Sequence, residues 1–203
     1  MRYAGKTLVW LPERGIGFYP VEGANYDDLY FGKYLAYSYS ELGKQLKYAR
    51  LSLIGKYPCG EIVDIGIGCG DFLTAIKIRG YDIEGSYSKK WLIENGLYHN
   101  AENEPVDTMT FWDSLEHIRD PRHILKNIKK YAFISVPIFR DLTHVLRSKH
   151  YRPNEHYWYW TAEGLRIFMA TEGFDEIEHN TMESDLGRED IHTFVFKKTE
   201  ILV

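Results

Sequence analysis

The chain is 203 residues long, enough for one sizeable hydrophobic core, and its 44% hydrophobic and 27% charged residues are ordinary for a globular domain. A formal net charge of -4 argues against broad electrostatic attraction to nucleic acid or to anionic lipid. Two cysteines, Cys59 and Cys69, are too few for a disulfide framework or a zinc knuckle, and no apolar run approaches the ~18 residues that span a bilayer.

The first residues carry no signal-peptide pattern, so a cytoplasmic protein with reduced thiols and no membrane segment is the expectation. Pro12, Gly15, Gly17, Pro20 and Gly23 interrupt any periodicity in residues 1–30, which predicts a loop-rich arm. From Asp27 to Tyr57 the apolar residues recur at helical spacing, and one or two helices ending near Gly55 are predicted. Tyr26, Tyr30 and Tyr34 share a helix face; core packing is the expected role, and a pocket lid is the alternative. This divides the chain into an arm with helices over residues 1–57 and a ligand-binding α/β domain over 58–203.

Glu61 to Leu73 organises that domain. Ile62 to Ile65 is a short apolar run suited to a buried parallel strand. Gly66, Gly68 and Gly70 follow at alternate positions, and helical spacing resumes at Phe72 and Leu73. Strand, glycine turn and helix let backbone approach a ligand at the carboxyl end of a sheet strand. The glycines read G-x-G-x-G, not the G-x-G-x-x-G of dinucleotide sites. Asp64 precedes them and Asp71 follows where a pyrophosphate would approach, so a ligand with a positive centre fits better than a nicotinamide dinucleotide.

The helix after the turn is predicted to reach about Arg79 and stop at Gly80, with a second strand over Tyr81 to Ser86. A helix over Lys89 to Gly96, a brief third strand at Tyr98 and His99, and a fourth strand over Val106 to Trp112 come next. Asp120 and Pro121 open a helix that runs through Ile128, and Tyr131 to Pro137 is the fifth strand. Thr161 to Gly173 is helical, and Glu176 to Glu178 and Ile191 to Lys198 are the last two strands. The predicted architecture is α/β: a Rossmann-like, seven-stranded, mostly parallel sheet with helices on both faces, in one domain with an N-terminal helical extension.

The glycine turn resembles motif I of the class I S-adenosylmethionine (SAM) dependent methyltransferases. Asp113-Ser114-Leu115-Glu116-His117-Ile118-Arg119-Asp120-Pro121 is similar to the segment after strand four in the branch containing ubiquinone-biosynthesis O-methyltransferases. The resemblance covers about residues 60–140. It implies SAM as cofactor, with contacts from Asp64, Gly66, Gly68, Gly70, Asp113 and Leu115. The family's acidic ribose ligand falls at Tyr87, where a phenol replaces the carboxylate and supplies at most a stack or one hydrogen bond.

In that branch an acidic residue followed by Glu and His three and four positions later can hold a divalent cation, which here implies Asp113, Glu116 and His117. The reading adopted is that Glu116 and His117 orient the loop beneath the cofactor, and no metal ligands are assigned. Arg140 to Trp160 mixes basic residues, His144, His150 and His156 with four successive aromatics. It reads as the acceptor side of the pocket, taking a flat or anionic acceptor, as a single-strand nucleic-acid surface, or as aromatics folded onto the core with charges in solvent. The three histidines, with no cysteine and with loop spacing, define no metal geometry.

The expected activity is methyl transfer to an oxygen or nitrogen of a small-molecule acceptor, with His117 or His150 as base. The alternatives are a non-catalytic SAM or nucleoside binder of the same fold, and a methyltransferase acting on nucleic acid.

Overall fold

The computed structural model describes residues 2–3, 6–20 and 26–199, so Gly23 of the arm lies outside the described residues. In chain order the strands and helices are β1 (Arg2–Tyr3), β2 (Lys6–Thr7), β3 (Val9–Leu11), β4 (Ile16–Phe18), α1 (Asp28–Ser38) and α2 (Glu41–Ile54). Then come β5 (Ile62–Ile65), α3 (Asp71–Ile76), β6 (Arg79–Tyr81), α4 (Tyr87–Glu94), β7 (Val106–Trp112) and a 3-10 turn (Leu115–His117). The chain closes with α5 (Arg122–Leu125), β8 (Ile128–Pro137), α6 (Leu142–Arg147), β9 (Trp158–Trp160), α7 (Ala162–Thr171), β10 (Phe174–Asn180), α8 (Met182–Asp185) and β11 (Ile191–Lys198).

The main sheet has six strands in the order β10-β11-β8-β7-β5-β6. β6, β5, β7 and β8 are parallel, and β11 is antiparallel to both β8 and β10. The expected seventh strand is reduced to one parallel bridge between Gly80 and Tyr98. Its edge partner β6 is only three residues long, so the Tyr98 segment finds a single pairing position, with Gly80 N–H donating to Leu97 and His99 N–H donating to Gly80.

The strands are apolar on both sides because both sides are covered. Ala132, Ile134 and Val136 of β8 pack with Leu165, Phe168 and Met169 of α7, whereas Tyr131 and Phe133 turn the other way to meet Leu53 and Ile54 of α2 and Phe72 of α3. This is the two-residue alternation of a strand applied to two cores.

Three boundaries differ from expectation. α3 ends at Ile76 because Lys77 adopts a left-handed cap (φ 56°), and the chain turns into β6 at Arg79. Gly80 is therefore a strand residue and not a helix stop, and the second strand ends at Tyr81, well before Ser86. The α5 helix is one turn, and Ile128 opens β8 instead of extending the helix.

The arm is more ordered than its glycines suggested. β3 and β4 form a hairpin, and β4 pairs antiparallel with β9, so Ile16, Gly17 and Phe18 lie against Trp160, Tyr159 and Trp158. Thr161 N–H donates to the Gly15 carbonyl at 2.8 Å, and the Thr161 hydroxyl caps α7 by accepting from Gly164 N–H at 2.9 Å. A Cβ on Gly164 would stand 2.1 Å from the Gly15 carbonyl oxygen. Gly164→Ala is expected to lower stability by roughly 1–3 kcal/mol through overpacking, read as a shift of the urea midpoint at constant slope.

Candidate active site

The glycine turn sits at the carboxyl end of β5, between β6 and β7, where the sheet's strand order reverses direction. Gly66 (φ 72°) and Gly68 (φ 57°) need backbone that L side chains rarely adopt. A Cβ on Gly66 would meet Ser114 at 2.6 Å, and one on Gly68 would touch the Tyr34 ring at 3.4 Å. Both glycines line one large pocket together with Asp64, Asp71, Asp82, Asp113, His117 and His150. Gly70, Tyr87 and Leu115 do not line it. Gly70 leaves room for Trp91, which a Cβ would meet at 2.9 Å. Leu115 is fully buried in the core. Tyr87 opens α4, where its ring packs on Phe31 at 4.9 Å.

Asp82 was missed by motif spacing. It follows β6 directly, lines the pocket, and accepts from Ile83 N–H at 2.9 Å. Burial raises its pKa. The early end of β6 is what puts this carboxylate, and not the residue at 87, beside the glycine turn.

Asp64 is buried in the parallel register opposite Thr110, whose hydroxyl donates to it at 2.6 Å. Burial pushes the Asp64 carboxyl up to about 7, against the pull of that hydrogen bond and of Arg50.

Asp113 ends β7 in a left-handed conformation (φ 56°). Arg188 donates to both of its oxygens, at 2.7 and 2.8 Å. Arg50 adds a 3.4 Å contact and itself holds Glu183 at 2.8 and 2.9 Å, while Arg188 also pairs with Glu183. Burial would raise the Asp113 carboxyl, but the two guanidiniums outweigh it and bring it down to about 2. Both oxygens being gripped by Arg188, Asp113 does not complete a cation site with Glu116 and His117.

Tyr26, which precedes α1 and so is not on its face, and Tyr30 and Tyr34 of α1 line the pocket instead of filling the core. Tyr26 Oη lies 3.2 Å from His117 Nδ1, and Tyr30 donates to Tyr34 at 3.2 Å. Burial brings the His117 pKa down to about 4, so the ring is neutral at pH 7. His150 Nε2 donates to the Glu189 carbonyl at 2.9 Å, which fixes its tautomer with the lone pair on Nδ1. Of the other two histidines in that stretch, His144 pairs with Asp190 at the surface, whereas His156 is buried in the pocket wall beside His117, their ring centres 4.6 Å apart.

The 140–160 stretch divides between its expected forms: His150, Arg152 and His156 line the pocket, while the aromatics after them fold onto the core. Tyr159 and Trp160 are fully buried, and Trp158 Nε1 donates to the Ile118 carbonyl at 2.9 Å. Lys149 pairs with Glu189, and Arg152 with Glu155.

Residues 34–179, more than half of the chain, match a family model described as a methyltransferase domain. No curated protein sequence matches the chain. Among solved structures, a SAM-dependent methyltransferase from Thermotoga maritima superposes with a TM-score of 0.56 at 17% identity, over 84% of this chain and 97% of that one. A SAM-dependent methyltransferase from Archaeoglobus fulgidus gives 0.53 at 18% identity, over 76% and 94%. Magnesium protoporphyrin IX methyltransferase from Synechocystis PCC 6803, with bound S-adenosylhomocysteine, gives 0.53 at 12% identity, over 78% and 84%. The chain belongs to the methyltransferase-domain family, with the fold of the class I SAM-dependent enzymes. Among the described residues no helix is long and apolar enough to cross a membrane.

Arg188→Ala leaves Asp113 and Glu183 short of a cation and is expected to cost roughly 3–5 kcal/mol at neutral pH. Asp113 has a folded pKa below its ordinary 3.8, so its contribution is complete above that value and is lost as pH falls towards 2. In the variant the acid limb of the stability profile over that interval should flatten by on the order of 2 kcal/mol, measured by urea unfolding at stepped pH.

Proposed function

We propose that this chain transfers the methyl group of S-adenosylmethionine to an oxygen or nitrogen of a small molecule. The carrying observation is one pocket at the carboxyl end of the parallel strands that brings glycine-turn backbone and buried carboxylates together with histidines and tyrosines. The cofactor, when bound, supplies a methyl group already activated on a sulfonium. Holding it in line with an acceptor and excluding water is worth on the order of 7–11 kcal/mol, and that is the protein's task.

We assign Asp64, Gly66 and Gly68 to the amino-acid end of the cofactor: a buried carboxylate and bare backbone suit a cationic ligand. Asp82 takes the ribose role, because a carboxylate accepts paired hydrogen bonds from neighbouring hydroxyls and the Tyr87 phenol does not. Asp113 shapes the floor through its grip on Arg188. Gly70 and Leu115 act indirectly, by admitting Trp91 and by anchoring the turn after β7. Residues 1–57 serve as an arm whose α1 tyrosines close the acceptor side.

His117 and His150 are the candidate bases. His117 is neutral and oriented by Tyr26, and His150 is held through Nε2 with Nδ1 free to take a proton. A small acceptor is favoured over nucleic acid because the basic stretch spends Lys149 and Arg152 on carboxylates and buries Tyr159 and Trp160, leaving no exposed row of stacking rings.

Calorimetry should detect S-adenosylhomocysteine binding; Asp82→Ala should weaken it by about 10–100-fold and Tyr87→Phe should leave it unchanged. The reverse ranking would return the ribose role to residue 87. Affinity should also rise as pH goes from about 6 to about 8, because Asp64 ionises across that range and a cationic ligand prefers the charged carboxylate. With methyl-labelled cofactor and a panel of phenols, carboxylic acids and amines, labelled product should form and fall by ~10²–10⁴-fold in whichever of His117→Asn and His150→Asn removes the base. Binding without labelled product from any of them would favour the non-catalytic alternative.

A further inference from the structure

Glu116, His117 and His156 each offer one ligand atom to a common point, and the three atoms lie within 4.8 Å of one another. Two of the residues are buried with atoms left over. Glu116 is 1% exposed and its Oε2 has no hydrogen-bond partner; His156 is 3% exposed and its Nδ1 has none. Each such orphan costs about 1–3 kcal/mol, so two residues of one cluster with unpartnered atoms call for something that satisfies both.

We propose that these three side chains bind a divalent first-row transition-metal ion of the zinc type at the acceptor wall of the pocket. Two imidazole nitrogens and one carboxylate oxygen form a borderline donor set, which suits such an ion and not magnesium or calcium, whose shells are oxygen. Three protein ligands leave a coordination position open, and all three residues line the pocket, so that position faces the cavity.

The fold builds this arrangement from two distant segments. Glu116 and His117 stand on the 3-10 turn after β7. His156 comes from the loop before β9, and two tethers hold that loop against the turn: Tyr157 N–H donates to the Glu116 carbonyl at 2.9 Å, and Trp158 Nε1 donates to the Ile118 carbonyl at 2.9 Å. The His117 and His156 rings meet edge to face with centres 4.6 Å apart. Tyr26 on His117 Nδ1 is the outer partner that fixes a ligating ring. Arg152 nearby would repel a cation, but Glu155 pairs with it at 3.2 Å. The set differs from the one implied by the D-x-L-E-H run: Asp113 is gripped by Arg188, and His156 takes its place. The ion is additional to the methyl-transfer reading and does not rest on it; with the ion bound, His117 is a ligand and His150 is the remaining candidate base.

The test uses tag-free, chelator-treated full-length protein without cofactor. Titration with Co²⁺ should give a saturable visible d–d band at one equivalent, displaced by Zn²⁺ and not by Mg²⁺. Glu116→Gln and His156→Gln should each weaken Co²⁺ binding by more than the ~10–100-fold that loss of an outer-shell partner costs, while Asp113→Asn leaves it unchanged. Thermal melts and S-adenosylhomocysteine affinity in chelator, measured on the same samples, separate loss of metal from loss of fold or of cofactor binding. Absence of saturable Co²⁺ binding by the wild-type chain overturns the proposal. So does binding that survives His156→Gln but is lost in Asp113→Asn, and so does displacement by Mg²⁺.

Discussion

Arg188 grips both oxygens of Asp113 and, through Glu183 and Arg50, joins three segments that are far apart along the chain: the end of β7, the α8 region and α2. Two guanidiniums and two carboxylates make a neutral, largely buried set, which is the condition for placing ions in a protein interior. Asp113 makes this contact from a left-handed backbone (φ 56°). The set also lies under the pocket, which Arg50, Asp113 and Arg188 all line, so the geometry of the floor and the docking of the arm helix on the sheet are one problem with one solution.

Above that floor the pocket is electrostatically lopsided. Asp64, Asp71 and Asp82 surround the glycine turn, and only Asp71 has a lysine, Lys47 at 3.0 Å. Burial raises the pKa values of Asp64 and Asp82 because their charged forms lack both solvent and a guanidinium in contact. A cationic cofactor repairs this shortage, whereas an anionic one would aggravate it. The preference for a sulfonium over a pyrophosphate thus follows from where carboxylates are buried as well as from glycine spacing.

The pocket wall that carries His117 and His156 is made by segments outside the main sheet. The hairpin of β3 and β4 adds β9 to its edge, and this pairing turns the aromatic run inwards. With Tyr159 and Trp160 in the core, the loop just before them is pressed against the 3-10 turn after β7, and His156 arrives beside His117. A segment that could have been a basic, aromatic surface becomes part of the pocket wall.

Local pattern carried much of this in advance. The strands of the main sheet from β5 onwards and the helices α3, α4, α5 and α7 between them, the glycine turn with Asp64, the two helices before it and the end of α2 at Gly55 were readable because each depends on neighbours within a few residues, whereas the pattern does not place α6, β9 and α8. Strand ends depend on pairing across the sheet, and this is where the reading slipped. β6 stops at Tyr81 where its partner β5 stops at Ile65, and that puts the Asp82 carboxylate, and not residue 87, at the pocket. Sequence alone leaves the three tyrosines between core and pocket lid, and the structure puts them at the pocket; the Arg188–Asp113 grip and the meeting of His156 with Glu116 and His117 were not readable at all. Each joins residues tens of positions apart, and only the packing of strands, hairpin and loops brings those side chains within bonding distance.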